Sequence, residues 1–146
     1  MTKRASIVAA LAEVFKQIDG TNGYKINLAN NSYPKLKFWD EVQDFPCVYL
    51  TAGTEMREYH PSGFTWGFLG ISVKVYVRDP DDAQQQLEDL LDDLERTIDA
   101  SRVLVYDTTN NLATTEILVQ SITTDEGLLR PYGVGEINLQ VRYALS

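Results

Sequence analysis

Thr65-Trp66-Gly67-Phe68-Leu69-Gly70-Ile71-Ser72-Val73-Lys74-Val75-Tyr76-Val77-Arg78 is the stretch on which the fold turns. Leu69, Ile71, Val73, Val75 and Val77 alternate with Gly70, Ser72, Lys74, Tyr76 and Arg78. A period of two is that of a strand with one face on a core. The same alternation returns near the end of the chain, where Ile137, Leu139, Val141 and Tyr143 interleave with Glu136, Asn138, Gln140 and Arg142. That predicts a strand over about residues 135 to 144. Upstream of the long run, residues 45 to 51 read as a buried strand. Pro46 sits at its start, because proline has no N–H to give a ladder interior. Residues 55 to 59 continue that strand or pair with it, and His60-Pro61-Ser62-Gly63 makes a turn.

Helices flank these strands. Ile7, Leu11, Val14, Phe15 and Ile18 fall at helical spacing, which predicts an amphipathic helix over about residues 3 to 19, ended by Gly20 and Gly23. Asp79-Pro80-Asp81-Asp82 reads as a second helix start, with Asp79 as cap and Pro80 at the first helical position. Leu87, Leu90, Leu91, Leu94 and Ile98 form its apolar stripe, and Glu88, Asp92, Glu95 and Asp99 its opposite face. Residues 24 to 44 read as loop with one short strand. Residues 103 to 106 read as another short strand, 107 to 111 as a polar turn, and 114 to 124 as a longer strand. The connection over residues 125 to 134 is too long for a tight hairpin and carries apolar side chains. Strands in clusters, rather than in strict alternation with helices, point to α+β. The expected architecture is one domain over residues 1–146, a mostly antiparallel sheet with two main helices packed on one face.

Composition excludes several function classes. Lys plus Arg is 13 and Asp plus Glu is 21, a formal net charge of −8. That disfavours non-specific nucleic-acid binding and anionic membranes, both of which need a basic footprint. No apolar run approaches the ~18 residues of a membrane span. Lys3 and Arg4 ahead of an apolar stretch imitate a signal peptide, but Glu13 and Lys16 interrupt it at a helical period, so a structural helix is expected there. One cysteine, Cys47, allows no internal disulfide and no paired-cysteine zinc site, which fits a cytosolic setting.

The chemistry-bearing residues are sparse. His60 is the single histidine, lies beside Pro61 in a turn, and reads as an exposed turn residue rather than a base. Cys47 sits in an apolar run and reads as a core cysteine without an activating base. The acids of the second helix share a face, which a hard cation could use, but no oxygen cage is patterned around them and a solvated face is expected, with a charged surface facing another subunit or a DNA channel as the alternative. Gly63, Gly67, Gly70, Gly127, Gly133 and Gly135 build no phosphate loop and mark turns, bulges or close contacts. No cofactor is implied. Two segments read as sticky. Tyr59, His60, Phe64 and Trp66, with Phe68, cluster around the turn and serve either strand packing or a partner surface. Leu128, Leu129, Arg130 and Tyr132, with Pro131, lie in the long connection, which folds back or docks elsewhere.

Several runs in order resemble one family. They are Phe45-Pro46-Cys47-Val48-Tyr49-Leu50 with Gly53-Thr54-Glu55, Tyr59-His60-Pro61-Ser62-Gly63, Trp66-Gly67-Phe68-Leu69, and the leucine helix from Gln84 through Asp99. The most specific run is Thr123-Thr124-Asp125-Glu126-Gly127-Leu128-Leu129-Arg130-Pro131-Tyr132-Gly133, leading into residues 136 to 143. Together these cover about two thirds of the chain and resemble the tail terminator proteins of siphophages. Residues 22 to 44 add little.

That resemblance implies a virion protein, assembled in the host cytoplasm, with no reaction and no cofactor. It implies a homo-oligomer, a hexameric ring, that caps the head-proximal end of the tail tube and stops its polymerisation. Its partners would be the tail tube protein and a head-connector or neck protein, with DNA passing through the pore unbound and no membrane involved. Net negative charge suits such a pore if carboxylates line it. One rival is another ring protein of the phage neck, a head- or tail-completion factor. A rival of a different class is a small ligand-binding or enzymatic α+β domain, since fold does not decide function.

Overall fold

The computed structural model describes residues 1–145. Strand β1 (Ser32–Tyr33) pairs in parallel with β2 (Cys47–Tyr59). Strand β2 is antiparallel to β3 (Thr65–Arg78), β3 to β7 (Tyr132–Ala144), and β7 to β6 (Glu116–Thr124). The five-stranded sheet therefore runs in the order β1-β2-β3-β7-β6. A separate two-stranded hairpin joins β4 (Val105–Asp107) to β5 (Leu112–Ala113). Helices α1 (Lys3–Phe15) and α2 (Ala83–Ala100) both lie on one face of the large sheet. The α+β, mostly antiparallel architecture expected from the sequence is the one observed.

The alternation in β3 sets that layer order. Leu69, Ile71, Val73, Val75 and Val77 point to the helices, opposite Ile137, Leu139 and Val141 of β7 and beside Val48 and Leu50 of β2. Helix α1 answers with Ile7, Leu11 and Phe15, and α2 with Leu87, Leu90, Leu91, Leu94 and Ile98, all buried. Burying such side chains supplies about 1.5–3 kcal/mol each, the main favourable term in the fold. Close approach at the seam needs Gly133: a Cβ there would stand 2.7 Å from Val77 Cγ2 and 3.1 Å from the Ala83 carbonyl oxygen.

Several boundaries differ from the sequence reading. Helix α1 ends at Phe15, not near residue 19. Its last turn tightens into i→i−3 bonds, with the N–H groups of Lys16, Gln17 and Ile18 donating to the carbonyls of Glu13, Val14 and Phe15. Ile18 stays buried because that turn carries on the same face. Helix α2 begins at Ala83 and is capped by Asp82, whose carboxylate accepts the Gln85 N–H at 3.0 Å. Asp79 is instead spent on a turn, accepting from the N–H groups of Asp81 and Asp82. Strand β7 starts at Tyr132 because Arg78 supplies a pairing partner that far down. The connection after β6 is thus shorter than expected.

The other sheet face is covered at one end only. Cys47, Tyr49, Tyr76 and Val42 form a second apolar cluster there, closed by Tyr33, Trp39, Phe45 and Val134. Residues 34–45 fold over this end, and the Tyr76 hydroxyl donates to the Lys37 carbonyl at 2.6 Å. Tyr76, which alternation alone turns outward, is therefore buried. Beyond this lid the face is open, with Gly70 and Ser72 of β3 beside Asn138 of β7 and one Lys74–Glu136 ion pair at 2.9 Å.

Candidate functional site: two poles and two open edges

The residues singled out in the sequence gather into two groups at opposite ends of the sheet. Trp66 pairs with Ala144 and Arg78 with Tyr132, so β3 carries the first group at its start and reaches the second at its end. Fourteen strand residues at about 3.3 Å per step separate the poles by roughly 43 Å. No single site can contain both groups.

The first pole is the tip of the β2–β3 hairpin. Pro61–Gly63 forms a short 3-10 turn with Ser62 at φ 73°. Tyr59 is 72% exposed, and Phe64 is also exposed. The Phe64 ring meets Trp66 edge-on at 4.9 Å, and the Arg142 guanidinium lies 4.9 Å above the half-buried Trp66. His60 is exposed, with Nε2 2.7 Å from the Glu58 carboxylate and its ring 6.2 Å from Phe64. The cluster is thus half packing and half open surface.

The second pole is the loop between β6 and β7. Asp125 builds it: one carboxylate oxygen accepts the Leu129 N–H at 3.0 Å and the other accepts the Val134 N–H at 3.1 Å. Glu126 and Gly127 turn the chain at φ 58° and 83°, a left-handed pair that suits the glycine. This sets Leu128 at the apex, 84% exposed, while Leu129 is half-buried and Arg130 exposed. Tyr132 is occupied within its own chain, packed against Trp39 at 5.4 Å and Phe45 at 5.6 Å under Arg78.

The sheet also has two unpaired edges, which the sequence reading missed. Strand β1 covers only Val48 and Tyr49 of β2, so residues 51–59 have no strand neighbour on their outer side among the described residues. Strand β6 closes the other side of the sheet and exposes Leu118, Val119 and Ile122. The available signal was Ile117-Leu118-Val119: three apolar neighbours cannot all face one core in a strand.

Among the described residues the titratable groups do not gather into a catalytic constellation. Burial, with the nearby Asp44 charge, pushes the Cys47 thiol up to about 12, so it carries no thiolate at neutral pH. Burial raises the Glu95 carboxyl, helped by the like charges of Asp92, Asp99 and Glu88 along α2. Among the described residues no group of three or more His, Cys, Asp or Glu is placed to hold a metal ion. No helix among them is long and apolar enough to cross a membrane.

The family model for the bacteriophage tail tube terminator protein matches residues 1–146. Tail tube terminator protein p142 of Escherichia phage T5 is 38% identical over 152 aligned residues, covering 98% of this chain and 94% of that protein. A chain in the virion of a native gene transfer agent particle shares the fold, with a TM-score of 0.55 at 9% identity, covering 94% of this chain and 97% of that one.

Proposed function

Because the chain belongs to the family of bacteriophage tail tube terminator proteins, we propose that copies of it form a ring that caps the head-proximal end of the tail tube. It is a structural component of the virion tail, not an enzyme. The ring, a hexamer in this reading, halts tube polymerisation, presents the surface for the head connector, and lets DNA pass without binding it.

The separation of surfaces carries the proposal. A ring inside a stack needs lateral contacts to its neighbours and axial contacts above and below. The chain offers two lateral sheet edges and two axial poles, set apart along β3. Head-to-tail contacts between unlike edges close into a ring when the rotation fits. In this reading Tyr59, His60, Phe64 and Trp66 meet one axial partner and Leu128, Leu129 and Arg130 the other, tube protein at one end and connector at the other. The acidic row of α2 lies on the helix layer, so a lumen walled by the open sheet face would instead carry charges of both signs, Lys74, Glu136, Arg142 and Glu116.

The test is negative-stain electron microscopy of tails from a phage lacking this protein. Overlong, headless tubes that regain normal length when the protein is supplied support termination. Tails of normal length would overturn it and favour a head- or tail-completion role instead.

A further inference from the structure

We propose that the subunits join by a lap joint, in which Val119 and Ile122 of one copy fill the groove between α1 and β2 of the next. The proposal rests on the ring reading and names the surface that closes it.

Both halves of the joint are present in one chain. Val119 pairs with Leu139 and Ile122 with Ile137, so both lie on the helix-facing side of the sheet. Their partners are buried, yet Val119 is 36% and Ile122 38% exposed: α2 reaches β6 as well as β3 and β7, but of the β6 side chains only Ile117 joins the buried core. At the opposite edge helix α1 stands over the rim of β2 and leaves a groove of about 510 Å³ lined by Ala5, Val8, Ala9, Leu50 and Ala52. This groove is also on the helix-facing side, since Leu50 and Ala52 pair with Val73 and Ile71. A sheet edge with exposed apolar side chains thus matches a groove lined by apolar ones.

Strand direction and charge agree with the match. Four successive antiparallel strands, β2, β3, β7 and β6, leave β2 and β6 running oppositely. A copy rotated about an axis along the strands keeps its directions, so its β6 meets the next β2 antiparallel, the better-paired geometry. From Ile117 to Thr124 no residue is charged. Soluble proteins usually guard a free edge with charge or proline, and an unguarded one is a pairing template. Arg4, the charged residue at the groove, has its guanidinium on the Gly53 carbonyl and leaves the apolar floor clear.

A full-length Ala9→Cys/Val119→Cys variant, checked for native circular dichroism and supplied to tails lacking the protein, tests the joint. The two positions flank opposite edges of one chain, at least three strand spacings or roughly 14 Å apart, beyond the ~7 Å reach of a disulfide. Mild oxidation should therefore give a ladder of covalent multiples on a non-reducing gel, ending at the number of subunits in the ring. Should this variant misfold, Ala5→Cys/Ile122→Cys reads the same contact. Rings visible at the tail tip that yield only monomer on the gel would overturn the joint and leave the ring standing. Capped tails without any ring would bring down both.

Discussion

The Asp93 carboxylate accepts the backbone N–H of Lys25 on both its oxygens, at 3.1 and 3.0 Å, across 68 positions of sequence. It also accepts the Ile26 N–H at 2.9 Å. Asp93 is 1% exposed and lies on the buried side of α2, one residue from the solvated acid Asp92. A buried carboxylate is tolerated here because backbone donors of the loop before β1 surround it. Asp93→Ala should cost about 2–3 kcal/mol, since it strands those amides. Urea denaturation measures it, and a loss below half that would mean the loop is held by other contacts, such as Arg96 on the Gly23 carbonyl.

Glu55 gives a stability term that depends on pH. Burial pushes its carboxyl up, but hydrogen bonds from Tyr143 and Arg57 and the charges of Arg57 and Arg4 outweigh this and hold it below its usual value. A carboxyl depressed in the folded state contributes stability above its unfolded pKa, about 4.3, and loses it as pH falls through the lower folded value. The advantage of wild type over Glu55→Gln should be constant above about pH 5 and shrink as pH falls toward 3. Denaturant midpoints across that range decide it; a difference that stays flat would remove Glu55 as a charge-dependent contact.

Leu128→Asp should leave circular dichroism and thermal midpoint unchanged, because an exposed apex residue carries little folding energy. Tail termination or head joining should fall. Leu129→Asp should instead lower the midpoint, as its side chain is half-buried beneath that apex. Full complementation by Leu128→Asp would show that this pole touches no partner.

Cys47 should resist alkylation by iodoacetamide at pH 8 in the folded protein and react at the rate of a free thiol in urea. Its burial and raised pKa both suppress the thiolate. Prompt reaction in the native protein would mean the lid of residues 34–45 opens.

Periodicity alone determined the strands and helices that form the main core. The two-residue repeat of β3 and β7 and the leucine stripe of α2 each specify a face whatever their partner is. Termini were less legible, because Asp79 and Asp82 are equally good caps in sequence and only the turn geometry chose between them. The run from Asp125 to Val134 was legible as a distinct loop, but not which of two adjacent leucines points outward. What the tertiary structure decided were relations between segments far apart in the chain. It put the two sticky segments at opposite poles, gave residues 34–45 a role as lid, and buried Asp93 among acids that look alike in sequence. Among the described residues it left β6, and β2 beyond Tyr49, without an outer strand neighbour. Burial and edge position depend on which element lies beside which, a long-range property that local composition does not encode.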